Sequence, residues 1–228
     1  MYLLNTQSLR VLSGLIATLM LTFASMSSAL ANTATYYLNQ SNIDSVLPDG
    51  TGYLKVTITS SVAGVANFVV APLYAFTQGS NFGLQTFGFN YGGSSPITAG
   101  NFSGLAAGWS VDLPPPSNQD GFGKFDFIVQ KGSNRLSPLS FAVTGLGGAM
   151  PADTLSYFAK LSSGNAGQGN QYFAAHLAGF TTNDANVTSG YFAGSAVTPV
   201  PEPETYATLL AGLCLLGFTA LSRRNSSK

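Results

Sequence analysis

The chain has 228 residues, of which 8% are charged and 45% hydrophobic, with nine Lys and Arg against nine Asp and Glu. So few bases supply no stripe or patch that could displace counterions from a phosphate backbone, which excludes nucleic acid as a partner, and the aromatic-rich, charge-poor composition is the reverse of a disordered segment. The single cysteine, Cys214, excludes a disulfide framework and a cysteine-based metal site.

In chain order, the first element is an export signal. Arg10 is the one charge among the first ten residues, and residues 11–23 carry none. That is the length of a secretory apolar region rather than of a spanning helix. Ala29 and Ala31 then stand in the small-x-small arrangement that fits the groove of a signal peptidase, so residues 1–31 are expected to be removed before Asn32.

Residues 32–194 read as one β-sandwich body. Between 32 and 200 there are seven acids and five scattered bases, for a net charge of −2. Leu54, Val56 and Ile58 alternate with Lys55, Thr57 and Thr59, as a half-buried strand requires. The same period places Phe125, Phe127 and Val129 on one face against Asp126, Ile128 and Gln130, and Leu139, Phe141 and Val143 against Ser140, Ala142 and Thr144. Further strands are expected at 66–76 (broken by Pro72), 82–91, 109–113 and 172–180, with Gly- and Pro-rich turns between them. Short strands with such punctuation predict an all-β fold, an antiparallel sandwich of jelly-roll type. One short helix is expected at 154–161, capped by Asp153. Residues 195–199, small and proline-ended, read as a linker.

Candidate chemistry in the body is sparse. His176 is the single histidine, and no nucleophile elbow accompanies it; a strand histidine bonded to backbone is the simpler reading. Asp112, Asp120 and Asp126 cluster in sequence, but the body holds no Glu, and paired-carboxylate hydrolysis finds little support. Asp120 and Asp126 could join a Ca²⁺ shell, although no Asp-x-Asp-x-Asp loop is present. No catalytic residue, metal site or cofactor is expected. Trp109 and Tyr91, with Tyr74 and Tyr172, could offer ring faces on which sugars stack; the plainer reading is that they fill the core.

The tail from 200 to 228 is the most specific element. Val200-Pro201-Glu202-Pro203-Glu204 precedes an uncharged stretch, 205–222, and then Arg223 and Arg224. As a helix that stretch would rise about 27 Å, enough for a thin bilayer, and the arginines behind it would keep that end in the cytoplasm and the body outside. Pro201 and Pro203 hold the backbone extended around Glu202.

This order of elements resembles a PEP-CTERM sorting domain. The resemblance implies a Gram-negative-type bacterial host and an exosortase partner that recognises Pro201, Glu202 and Pro203 and cleaves near them. It also implies frequent association with exopolysaccharide, biofilm or floc matrix. Glu204 departs from the Ser or Thr common at that position, and the basic end of Arg223 and Arg224 is thin. With signal peptidase as the other processing partner, the expected course is export, transient residence in the inner membrane through the tail helix, and release to the cell surface or extracellular matrix. The function expected is structural or adhesive participation in an exopolysaccharide matrix, not an enzyme's. The alternatives are a carbohydrate-binding module and, behind it, a secreted hydrolase.

Overall fold

In the computed structural model of the chain, residues 32–197 are described, Ser133 and Ala149 excepted. The signal segment with Ala29 and Ala31, and the tail from Val200 with its motif, expected span and arginines, lie outside the described residues. Among the described residues no helix is long and apolar enough to cross a membrane.

The described chain begins on β1 (Asn32–Leu38), steps through β2 (Gln40–Ser41) and returns as β3 (Leu54–Ser60) and β4 (Ala66–Pro72). There follow β5 (Thr77–Phe89), β6 (Phe102–Ser103), β7 (Ser110–Asp112), β8 (Ser117–Gln119), β9 (Gly123–Phe125), β10 (Phe127–Gln130) and β11 (Leu139–Val143). A short helix, α1 (Pro151–Ser156), leads to β12 (Phe173–Thr181), β13 (Ser189–Gly194) and β14 (Ala196–Val197). One sheet has the order β14-β1-β3-β4-β11-β6 and the other β2-β13-β12-β5-β10-β7, while β8 and β9 form a separate hairpin. Every strand pairing is antiparallel.

The all-β expectation holds, with two antiparallel sheets. Most connections pass from one sheet to the other, as β4 to β5 and β10 to β11 do, while β3 and β4 are sequential neighbours within one sheet. The short 61–65 connection leaves β4 no reach to the opposite sheet, so it folds back on β3.

The two sheets meet over an aromatic core. In β3 the alternation appears as read: Leu54, Val56 and Ile58 are fully buried while Lys55 is exposed. Phe68 of β4 crosses between the sheets, lying 4.8 Å from the Phe141 ring at 4° and 5.2 Å from Phe89 of β5, with Phe158 edge-on at 4.9 Å. Tyr53 against Phe192 and Tyr36 against Phe173 make two further cross-sheet ring contacts, at 4.8 and 4.7 Å. Rings of this size bury large apolar areas and favour offset and edge-on geometries.

A second, smaller apolar cluster lies on the outer face of the second sheet, where Phe122, Phe125, Ile128, Ala174 and Ala193 pack together. It corrects the reading of 125–130. Asp126 interrupts the strand, Phe125 joins the outer cluster, and Ile128, placed on a wet face by the alternation, is 3% exposed. The physical reason is the β8–β9 hairpin, which folds over half of that face. Gly88 of β5 makes the room: a Cβ there would stand 3.0 Å from the Phe125 ring and 3.1 Å from Ile128.

Two boundaries also differ from expectation. The helix starts at Pro151, not Thr154, because proline is well suited to the first helical position. Asp153 therefore sits in the first turn, where its Oδ2 accepts the Met150 N–H at 3.0 Å. The segment read as a linker from 195 still belongs to the sandwich: Tyr36 pairs with Val197 and Tyr37 with Ala196, and Ser195 Oγ accepts the Tyr172 N–H at 2.9 Å. The pairing extends to the edge of β1, whose backbone groups would otherwise be open there.

Candidate functional site

Trp109 and Tyr91 do not offer open ring faces. Trp109 is 8% exposed and its Nε1–H donates to Asn134 O at 3.0 Å. Tyr91 is 7% exposed, packs edge-on against Tyr157, and its hydroxyl accepts the Gly147 N–H at 2.9 Å. Each polar atom has found a partner inside the fold, so the ring is committed to packing. Tyr74 is exposed but makes edge contacts with Tyr53 and Phe76, and half-buried Tyr172 meets Tyr36 edge-on.

The three aspartates that cluster in sequence are separated by the fold, each with its own partner. Asp112 Oδ1 accepts from Gln130 Nε2 at 2.6 Å, and Asp120 Oδ2 accepts from Asn42 Nδ2 at 3.1 Å. Asp126 Oδ2 lies 2.7 Å from Lys160 Nζ, which also donates to Tyr91 O. Among the described residues no three His, Cys, Asp or Glu groups come together as metal ligands.

What the fold does assemble is a polar strip on the outer face of the second sheet, beside the half covered by the hairpin. Antiparallel register sets Tyr191 of β13 opposite His176 of β12, His176 opposite Thr86 of β5, and Thr86 opposite Gln130 of β10. His176 and Tyr191 stack face to face, 4.3 Å apart and 6° from parallel. The sequence reading gave His176 a backbone hydrogen bond; its observed contact is this cross-strand stack. Burial pushes the imidazole pKa below its ordinary value and Arg135 pushes it the same way, while Asp120 opposes them. Burial also raises the Tyr191 phenol, with Asp120 adding to it. Both rings are therefore neutral near pH 7.

At the open end of the strip a cavity of ≈ 380 Å³ is lined by Ser80, Gln85, Arg135, Gly179, Thr188 and Ser189, among others. Two local irregularities shape it. β12 slips register against β5 between Ala178 and Phe180, and Gly179 in that bulge has φ +79. A Cβ on Gly179 would stand 2.7 Å from Asn81 O and 3.0 Å from Arg135 Nη1, so only glycine lets the guanidinium approach the backbone here. Asn81 itself has φ 54, a conformation that Asn tolerates better than most residues, and its carbonyl accepts from Arg135 Nη1 at 2.8 Å. With the Gln85 amide oxygen turned toward the guanidinium, it accepts from Nη2 at 2.7 Å and Nε at 2.9 Å.

Sequence reading singled out His176 but missed Arg135, Gln85 and Tyr191. Two signals were available: Arg135 is the one arginine between 32 and 197, and Gly179 interrupts an otherwise apolar strand, a mark of a bulge or a close backbone approach.

Comparison with known proteins adds one finding, and it falls on the tail. Residues 199–224 match the family model described as the PEP-CTERM protein-sorting motif. No curated protein and no solved structure matches the chain. The chain thus carries a signal for exosortase sorting, which marks it as an exported protein bound for the cell surface or the extracellular space. The match begins two residues beyond Val197, the last residue paired into the sandwich.

Proposed function

We propose that this exported protein is a non-enzymatic component of an extracellular matrix, structural or adhesive in an exopolysaccharide or biofilm setting. In this reading signal peptidase removes residues 1–31, and the tail holds the body at the outer side of the inner membrane of a Gram-negative-type cell. An exosortase then recognises Pro201, Glu202 and Pro203 and separates body from tail, with Arg223 and Arg224 setting the orientation. The observation that carries the reading is the sorting motif placed directly behind a complete two-sheet body. A non-enzymatic role is supported by the separate partnering of Asp112, Asp120 and Asp126 with three different side chains, so these three do not form a carboxylate pair with one another.

Intact mass and C-terminal peptide analysis of protein from membrane and extracellular fractions of the host tests the sorting. A form beginning at Asn32 and ending near Pro201 to Pro203 is expected outside the cell, and replacing Pro201, Glu202 and Pro203 together by alanine should leave the tail attached and the protein in the membrane. A wild-type chain that still ends at Lys228 in every fraction would sink the proposal. Deleting the gene should loosen the matrix without abolishing a polysaccharide-degrading activity; loss of such an activity would favour the hydrolase reading instead.

A further inference from the structure

We infer that the Arg135 cavity is a binding site for a carboxylate-bearing sugar, a hexuronate unit of an acidic polysaccharide. A guanidinium carries five N–H donors in a fixed plane. Three are taken, one by Asn81 O and two by Gln85, and among the described residues no acid pairs with Arg135. Two donors and a full positive charge are therefore left on a side chain that lines the cavity and is held in place by its bonds to Asn81 and Gln85. A half-buried cation of this kind is better satisfied by an anion than by water, and Arg meets carboxylates with directed, charge-assisted hydrogen bonds.

The remainder of the cavity describes the rest of the ligand. Ser80, Thr181, Thr188 and Ser189 bring hydroxyls to the lining, beside Gly79 and Gly179. Hydroxyls both donate and accept, as sugar hydroxyls do, so a polyhydroxylated carrier meets complementary groups around a single ionic anchor. No second base lines the cavity, which suits a monoanionic carboxylate rather than a phosphate dianion. The volume falls within the range of small-molecule sites, large enough for one sugar ring with its neighbours running on along the strip.

This deepens the matrix reading and rests on it only for the source of the ligand. Its test is binding by the unprocessed full chain in detergent micelles, so failure of sorting and failure of binding are read in separate experiments. Calorimetric titration would compare a hexuronate trisaccharide, the matching neutral hexose trisaccharide, acetate and inorganic phosphate. Saturable binding of the hexuronate alone is expected, weakened about tenfold or more in Arg135→Gln, the worth of one charge-assisted hydrogen bond. Ser80→Trp, at an exposed rim position, should weaken it similarly by filling the cavity while leaving the guanidinium and its supports in place. That second variant decides the matter if Arg135→Gln fails to fold. Equal binding of the neutral trisaccharide, acetate or phosphate, undiminished binding in folded variants, or no hexuronate binding up to the millimolar range would each overturn the inference.

Discussion

His176 shows how much a single side chain takes from its surroundings. Its imidazole lies against Tyr191, partly withdrawn from water, and feels the opposing charges of Arg135 and Asp120. Desolvation and the arginine both disfavour the protonated form, so its folded pKa lies below the ordinary value of 6.5. In the window between the folded and unfolded values the unfolded chain binds more protons, so stability rises with pH there. The contribution is complete above the ordinary value and is lost as pH falls through the folded one. Because the chain has one histidine, a single Cε1–H signal reports it in an NMR titration. A midpoint below the unfolded value is expected, moving upward in Arg135→Gln; a midpoint at or above the unfolded value would contradict the burial of the ring.

At the scale of elements, the strands with one wet face were readable because their faces stay dry or wet along their whole length. β3 and β11 keep strict alternation, and the structure buries the residues that alternation picks. β10 was misread for a long-range reason: the separate β8–β9 hairpin covers Ile128, and nothing in the local period announces such a cover. β1 and β13 were missed, although Ala34, Tyr36 and Leu38 alternate with Thr33, Thr35 and Tyr37 in β1. Phe68 shows what joins the elements, since its ring touches four other phenylalanines on β4's partner strands, the opposite sheet and the segment after α1. Phe68→Ala should cost about 3–5 kcal/mol, a large part of the ~5–15 kcal/mol typical of a folded domain. Chemical denaturation would measure it; a loss under about 1 kcal/mol would mean the sheets do not close on that ring.

Across the whole molecule, stability rests on packing and backbone pairing rather than on charge. Among the described residues there is one ion pair, Lys160 with Asp126, and its lysine side chain is 47% exposed. An exposed pair of that kind contributes about 0–1 kcal/mol, screened by salt. Raising sodium chloride from low to near-molar concentration should therefore move the thermal midpoint by only about 2–4 °C, the equivalent of 1 kcal/mol in a domain of this size. A larger fall on adding salt would reveal electrostatic support that the described residues do not contain.

The sequence by itself determined the destination of this protein and the class of its fold. A sorting motif is read by an enzyme as a short linear pattern, and two-residue alternation is a local property of the backbone, so both survive without tertiary information. Only the folded molecule decided where the sandwich ends, which aromatics are spent on packing and what lies at its surface. Arg135, Ser80, Gly179 and Ser189 lie on four different segments, and strand pairing with a register slip in β12 brings them to one cavity. That meeting is a property of strand pairing at long range, which no local pattern in the chain encodes.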